Sequence, residues 1–326
     1  MRIAAAFSFE GMQKAPVDLN EACLPKAETS RARHARKRGI FSMTTTRQGR
    51  SPVGIHPGLA LAAALFIAGC QSSAGPVLDM SLVEAAQGSQ ENIASLSSVI
   101  ARSPNDPNAY NVRGSAYGRA GRYKEALADF DRAIQLNPSS YQSYANRALI
   151  HRYMNNQQAA VQDYTRALQL NSSYDTAYIG RGEIYRLAGR TAEAQNDFQQ
   201  AIQLNTTDPR AYHRRGLIYQ QQGQHNIAIE DFAKAISMAP NLPYPYNARG
   251  LSYLATGDDD NAAADFNRAI TLDKTNAEGW ANQAIVLEKQ GDIQRARRSY
   301  AEAVRLDPNY TPARDGLKRV GGPAGA

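Results

Sequence analysis

Two sets of side chains in this 326-residue sequence have the types and spacing to do chemistry. The first is a pair of charged rows. Arg113, Arg147, Arg181, Arg215 and Arg249 recur every 34 residues, as do Asp129, Asp163, Asp197, Asp231 and Asp265. Where a sixth pair would fall stand Gln283 and Ser299, so both charges vanish together. A guanidinium fork meets a carboxylate with two parallel bonds. The expected product is a ladder of structural ion pairs between packed helices, with a ligand-binding arginine row as the other reading. Such pairs need not add net stability, but losing one partner leaves a charge poorly compensated. The second set is Arg119, Arg152, Arg186, Arg210 and Arg214, with Tyr153 and His213, set against one acid, Glu183. Clustered arginine favours carboxylate partners.

No reaction centre assembles. The sequence has no phosphate-binding lysine loop, no zinc-protease helix motif and no paired-cysteine metal site. His151 takes a core aromatic position and His225 falls near a turn between helices, so His213 is the one histidine pointing where a ligand would sit. Asp258, Asp259 and Asp260 fall at a turn, where Asp caps a helix, and lack the ligand spacing of a calcium loop. The expectation is no catalytic residue, no metal, no cofactor and no enzyme.

The elements that position these residues follow from the period. Six 34-residue units run without a gap over 107–310, starting at Pro107, Tyr141, Asp175, Pro209, Pro243 and Ala277. Place 4 of each unit is Tyr or Trp, place 8 is Gly or Ala, places 20 and 27 are Ala, and place 24 is Phe or Tyr. Places 4, 8 and 11 lie on one face of a first helix, and places 20, 24 and 27 on one face of a second. Small residues let the two backbones approach and aromatics fill the space beside them. One such hairpin cannot bury its own apolar face, so neighbours must stack. Gly121, Gly189, Gly223, Gly257 and Gly291 separate the two helices.

This pattern resembles the tetratricopeptide repeat family. The resemblance implies an all-α fold: an α-solenoid of six tandem helix hairpins in a right-handed superhelix. Moving back one unit aligns Leu96, Val99 and Pro104 with places 24, 27 and 32, so 89–106 reads as a capping half-repeat. Residues 311–326 read as a capping helix carrying Leu317, then a disordered tail. In this family places 2, 5, 6, 9, 12 and 13 face a concave groove. Here they supply Arg119, Arg152, Tyr153, Arg186, Arg210, His213 and Arg214 as partner-binding residues, with Glu278, Glu288 and Lys289 in repeats five and six. The implied ligands are proteins or peptides, acidic segments among them.

The front of the chain reads as an address. Residues 59–68 are apolar, too few for a membrane span of about 20 residues. They suit the core of a signal peptide. Ile67, Ala68, Gly69 and Cys70 resemble the lipobox of bacterial lipoproteins, which implies cleavage before Cys70 and lipidation there. Gln71 is not the Asp that retains such proteins in the inner membrane, so the resemblance points to the periplasmic face of the outer membrane. Counted from Met43, the signal peptide is 43–69 and 1–42 is a mis-assigned extension. Residues 70–88 read as a flexible tether. Residues 1–69 hold 10 Lys/Arg and 4 Asp/Glu, and 70–326 hold 27 and 26. The mature chain is thus near neutral, which argues for no nucleic-acid partner. With Cys23 removed, Cys70 is the one thiol left and no disulfide framework forms. The expected function is a membrane-anchored scaffold docking envelope proteases or peptidoglycan hydrolases. The alternative is an assembly factor, such as a pilus secretin pilotin or an outer-membrane assembly subunit.

Overall fold

The computed structural model describes residues 87–321. Met43, the signal segment, Cys70 and residues 322–326 lie outside them. Among the described residues there are fourteen helices and no strand. Helix α1 (Gln90–Arg102) precedes six pairs: α2 (Pro107–Arg119) with α3 (Tyr123–Leu136), α4 (Tyr141–Tyr153) with α5 (Gln157–Leu170), α6 (Asp175–Leu187) with α7 (Thr191–Gln203), α8 (Pro209–Gln221) with α9 (His225–Met238), α10 (Pro243–Thr256) with α11 (Asp259–Leu272), and α12 (Ala277–Lys289) with α13 (Ile293–Leu306). Helix α14 (Thr311–Arg319) closes the row. Each second helix packs on the first helix of its own pair and on that of the next. Successive first helices also touch one another. The array is a solenoid, and the first helices line its inner face.

Backbone chemistry sets each pair. Place 15 ends the first helix with positive φ in all six repeats. Gly fills it in five, including Gly121 at 71°, and Asn155 fills it in repeat two at 58°. The amide that follows reaches back to close the turn, as Arg122 N does to Tyr117 O at 2.9 Å. Asp106 and Asp208 cap helices that open with Pro107 and Pro209.

The core is a stack of aromatic rings between alanines. Phe130, Tyr164, Phe198, Phe232, Phe266 and Tyr300 are at most 3% exposed, and the alanines at places 20 and 27 at most 4%. Place 8 tells the rings apart. Gly114, Gly182, Gly216 and Gly250 face phenylalanines, and a Cβ on Gly216 would lie 2.8 Å from Phe232 Cε1. Ala148 and Ala284 share their repeats with Tyr164 and Tyr300. Those two tyrosines lean on the next helix at its sixth place, which is Gly in just these two cases, Gly180 and Gly316. Place 3 is buried too, as at Ala109, Ala177 and Ala211, although the period reading did not mark it.

The ends differ from the sequence expectation in one respect. In α1 the buried residues are Ile93 and Ile100, while Val99 is 36% exposed. Among the described residues α1 has no first helix of its own to cover places 24 and 27, so it packs on α2 instead. Gly88, read as the end of the tether, lies against Arg119 and Ala120 at the end of α2. Helix α14 buries Ala313, Gly316 and Leu317. It carries exposed Arg314 and Lys318 at the fourth and eighth places, where a further helix would need apolar groups. No helix among the described residues is long and apolar enough to cross a membrane.

Candidate functional site

Two polar systems run along the first helices. The outer one joins place 7 to place 23. Arg113 Nε and Nη2 donate to Asp129 at 2.7 Å each. Arg147 does the same with Asp163, Arg181 with Asp197, Arg215 with Asp231 and Arg249 with Asp265, all within 2.9 Å. Each guanidinium except that of Arg147 lies near two tyrosine rings, those of places 4 and 11; Arg215 is 5.9 Å from Tyr212 and 5.8 Å from Tyr219. In repeat two, place 11 is His151, whose Nε2 lies 3.9 Å from Asp163. Burial holds Asp197 and Asp231 above the ordinary carboxylate value against the pull of their arginines. The hydrogen bonds that each guanidinium donates to its carboxylate raise Arg181 and Arg215 in turn.

The remaining guanidinium nitrogen reaches into the preceding repeat, a contact that the sequence reading missed. Nη1 of Arg113 meets Ser97 Oγ at 3.1 Å, that of Arg147 meets Asp131 at 2.7 Å, and that of Arg181 meets Thr165 at 3.1 Å. Arg215 reaches Gln199. In repeat six Gln283 keeps the same reach, to Asn267 at 2.6 Å, and accepts from Ser299 at 2.7 Å. The residues reached in the preceding repeat, Ser97, Asp131, Thr165, Gln199 and Asn267, all occupy place 25. The signal was present in the sequence as a third polar row, broken at Ala233.

The inner system centres on Glu183, which is 6% exposed. Arg186 grips it with two bonds, Nε at 2.9 Å and Nη2 at 3.0 Å. Arg214 Nε of the next repeat stands 3.4 Å from the same carboxylate. Burial by itself would raise this carboxyl; Arg186, Arg214 and Arg152 outweigh it and hold it below its usual value. The groove therefore brings Arg186 and Arg214, from consecutive repeats, onto one carboxylate, with Arg152 of the repeat before adding to the positive field around it. Arg210 turns instead to Asp208, with Nη2 at 2.6 Å. Tyr153 stacks on Tyr123 at 5.7 Å with Arg152 over its ring, and burial raises its phenol. Arg119, at the end of α2, is half-buried.

His213 does not face the open groove. It is 5% exposed, 4.5 Å from the ring of Tyr244 and 5.6 Å from that of Phe232. The next first helix lays Tyr244 across it, which a wheel drawn for one helix omits. Burial, then Arg214 and Arg186, push its pKa well below the ordinary value, so the ring is neutral. The remaining inner residues are also engaged. Glu288 accepts from Arg319 and from the Tyr300 hydroxyl, tying α14 to α12 and α13. Lys289 pairs with Asp259 at 2.6 Å. Glu278 accepts from Asn247 Nδ2 at 3.0 Å, and burial raises its carboxyl. Among the described residues no group of three or more His, Cys, Asp or Glu is placed to hold a metal.

Comparisons with known proteins agree with this geometry. Residues 107–140, 141–174, 209–242, 244–276 and 277–310 match models of the tetratricopeptide repeat, and 182–223 a model of the TPR repeat. Together the matches span more than half of the chain. No curated protein matches the sequence. Among solved structures, a chain of the APC/C hetero-tetramer Cut9–Hcn1 is similar with TM-score 0.64 at 18% identity, over 74% of this chain and 48% of that one. The chain thus spans about half of that structure. PilF of Pseudomonas aeruginosa is similar with TM-score 0.61 at 19% identity, over 65% of this chain and 97% of that one. PilW, described as a widely conserved type IV pilus biogenesis factor, gives 0.57 at 20%, over 66% and 97%.

Proposed function

We propose, from the premise that this chain belongs to the tetratricopeptide repeat family, that it is a non-enzymatic scaffold docking protein partners on the inner face of its solenoid. The observation that carries this reading is the convergence of Arg186 and Arg214, from consecutive repeats, on one buried carboxylate of that face, with Arg152 adding to the positive field around it. Three cations on three repeats form a recognition surface that a packing role alone does not require. The partner segments are acidic.

The same proposal places the scaffold on the periplasmic face of the outer membrane, held by lipid on Cys70. Its support is the order of positive charge, apolar run and Ile67, Ala68, Gly69, Cys70 in the sequence. Three acyl chains exceed the two signals that stable anchoring needs. The mechanism is tethering: partners held on one anchored platform meet at raised effective concentration. Proteases and peptidoglycan hydrolases are the partner classes. A second reading, an assembly factor such as a pilus secretin pilotin or an outer-membrane assembly subunit, draws on the likeness to PilF and PilW over 97% of each of those chains.

Crosslinking and capture from cell envelopes tests both readings, with Cys70→Ser as the unanchored control. Wall enzymes recovered with the parent and lost with the control support the adaptor. Secretin or barrel components in their place support the assembly factor. A soluble mature form with unmodified Cys70 refutes the anchor, and peptides from residues 1–42 refute the start at Met43.

A further inference from the structure

Repeat six departs from the other five on its outer side. Places 19, 22 and 29 lie on one outward stripe of each second helix. In repeats one to five they carry no cation, and their only charges are Glu125, Glu193 and Glu230. In repeat six all three are arginine, Arg295, Arg298 and Arg305, each exposed. Place 21, half-buried in the other repeats, is the exposed Arg297. Arg314 and Lys318 of α14, which packs on α13, continue the charge. Asp292 stands 3.5 Å from Arg295, and Glu302 2.6 Å from Arg305. Among the described residues Arg297, Arg298, Arg314 and Lys318 form no ion pair, and the exposed Asp315 pairs with none of them.

Folding does not account for these charges. Residues 70–326 hold 27 Lys/Arg and 26 Asp/Glu, so the excess is local. Arg295 and Arg298, three apart on one helix, repel, as do Arg314 and Lys318, four apart. At the start of α3 and of α7 the same spacing joins opposite charges, Arg122 to Glu125 and Arg190 to Glu193. The open end of a repeat array needs a polar face, but Ser or Glu supplies that as well as Arg. The end requires polarity, not one sign.

We infer that the outer side of α13 and α14 is a contact for an anionic phospholipid surface, laid on the headgroups by Arg297, Arg298, Arg314 and Lys318. The choice of a bilayer over a soluble partner rests on the anchored reading, since lipid at Cys70 keeps the chain beside headgroups. The form of the patch agrees. Mobile headgroups gather under exposed cations, whereas a folded partner needs an apolar centre to its interface. Ile293, 41% exposed and one turn before Arg297, is the one large apolar side chain exposed on α13 and α14. Clustered basic side chains are drawn to such a surface within a Debye length. The acyl chains already hold the protein, so the patch sets its attitude. The solenoid is bound at its last repeat as well as by the tether before its first.

The test is co-sedimentation of the mature chain, residues 70–326 with Cys70→Ser so that no acyl chain is present, with vesicles of phosphatidylcholine alone or mixed with phosphatidylglycerol. Binding to the mixed vesicles and none to the neutral ones is expected, and salt at about 0.5 M abolishes it. Arg297→Gln/Arg298→Gln weakens it by about tenfold or more. Arg132→Gln/Arg166→Gln, the same change of charge on the exposed faces of α3 and α5, leaves it within about twofold. All four side chains are exposed, and melting curves check that both variants fold. Equal binding to the two kinds of vesicle, or binding to neither, overturns the inference. So does a patch variant that binds as the parent does. Sedimentation velocity without vesicles covers another occupant: a parent dimer that the patch variant loses, with no vesicle binding, makes the patch a contact between copies and overturns the inference too. The anchor is read separately, from the mass of native Cys70. Absent vesicle binding with an acylated Cys70 leaves the anchored scaffold standing. Vesicle binding with an unmodified Cys70 keeps the patch and removes the anchor.

Discussion

Arg214 and Arg215 are neighbours in the chain and serve opposite ends, because they leave α8 about 100° apart. Arg215 meets Asp231 with two bonds, lies near Tyr212 and Tyr219, and reaches Gln199 of the repeat before. All its donor edges are used. Arg214, 25% exposed, shares a carboxylate that Arg186 already holds. One arginine is saturated and structural; the other is positioned and under-used. Residue type and helix being equal, the difference lies in whether the carboxylate it faces is exclusive or shared.

The largest expected effect tests the saturated side. Asp231→Ala strands Arg215 in a site where it is 14% exposed, and should lower stability by about 3 kcal/mol in a urea titration. A loss as small as that for a surface change would mean that the ladder is not structural. Next comes the packing that brings the rows together. Gly216→Leu drives a side chain into Phe232, 2.8 Å from the first added carbon, and should cost about 1–3 kcal/mol. An unchanged melting temperature would contradict the close approach of α8 and α9.

A pH series sharpens the comparison on the inner side. His213 is held neutral, its pKa well below the ordinary value. The unfolded chain therefore binds that proton first, and stability is lost as pH falls through about 6.5 towards the lower folded value, by at most about 1.4 kcal/mol per unit. His213→Phe should flatten this slope; the same slope in the variant would assign it elsewhere. Glu183, held below its usual value, contributes stability that disappears only at lower pH, as the solution falls through its folded pKa. The smallest effect is expected at Arg214→Gln, within about 0.5 kcal/mol of the parent. That near-neutrality, beside the Asp231 result, is what separates a binding arginine from a structural one.

Much of the fold was legible in the sequence. The six repeats, both helices of each and the place-15 turns follow from spacing, because a 34-residue period with fixed small and aromatic places allows one stacking mode. The covariation of Gly with Phe and Ala with Tyr was present in the letters as well, but it acquired meaning only when Tyr164 and Tyr300 were seen against Gly180 and Gly316. Place 25 is the same kind of case: Ser97, Asp131, Thr165, Gln199 and Asn267 share polarity but no residue type, so a period search passes over them. The groove was least legible. The wheel placed five arginines and Glu183 there in repeats one to four, with Glu278, Glu288 and Lys289 beyond them, yet Arg210 turns to Asp208, Lys289 to Asp259 and Glu288 to Arg319.

The sequence by itself determined the repeat, the pairing of place 7 with place 23 as residue types, and the face that each helix turns inward. Those are properties of one helix or one hairpin, carried by local spacing. Only the tertiary structure decided which charges are spent and which remain. It buried His213 under Tyr244 of the following repeat, and it drew Arg186 and Arg214 from two repeats onto one carboxylate. Such outcomes depend on distances between residues some 30 positions apart in the chain, set by how closely aromatic and glycine let neighbouring helices approach.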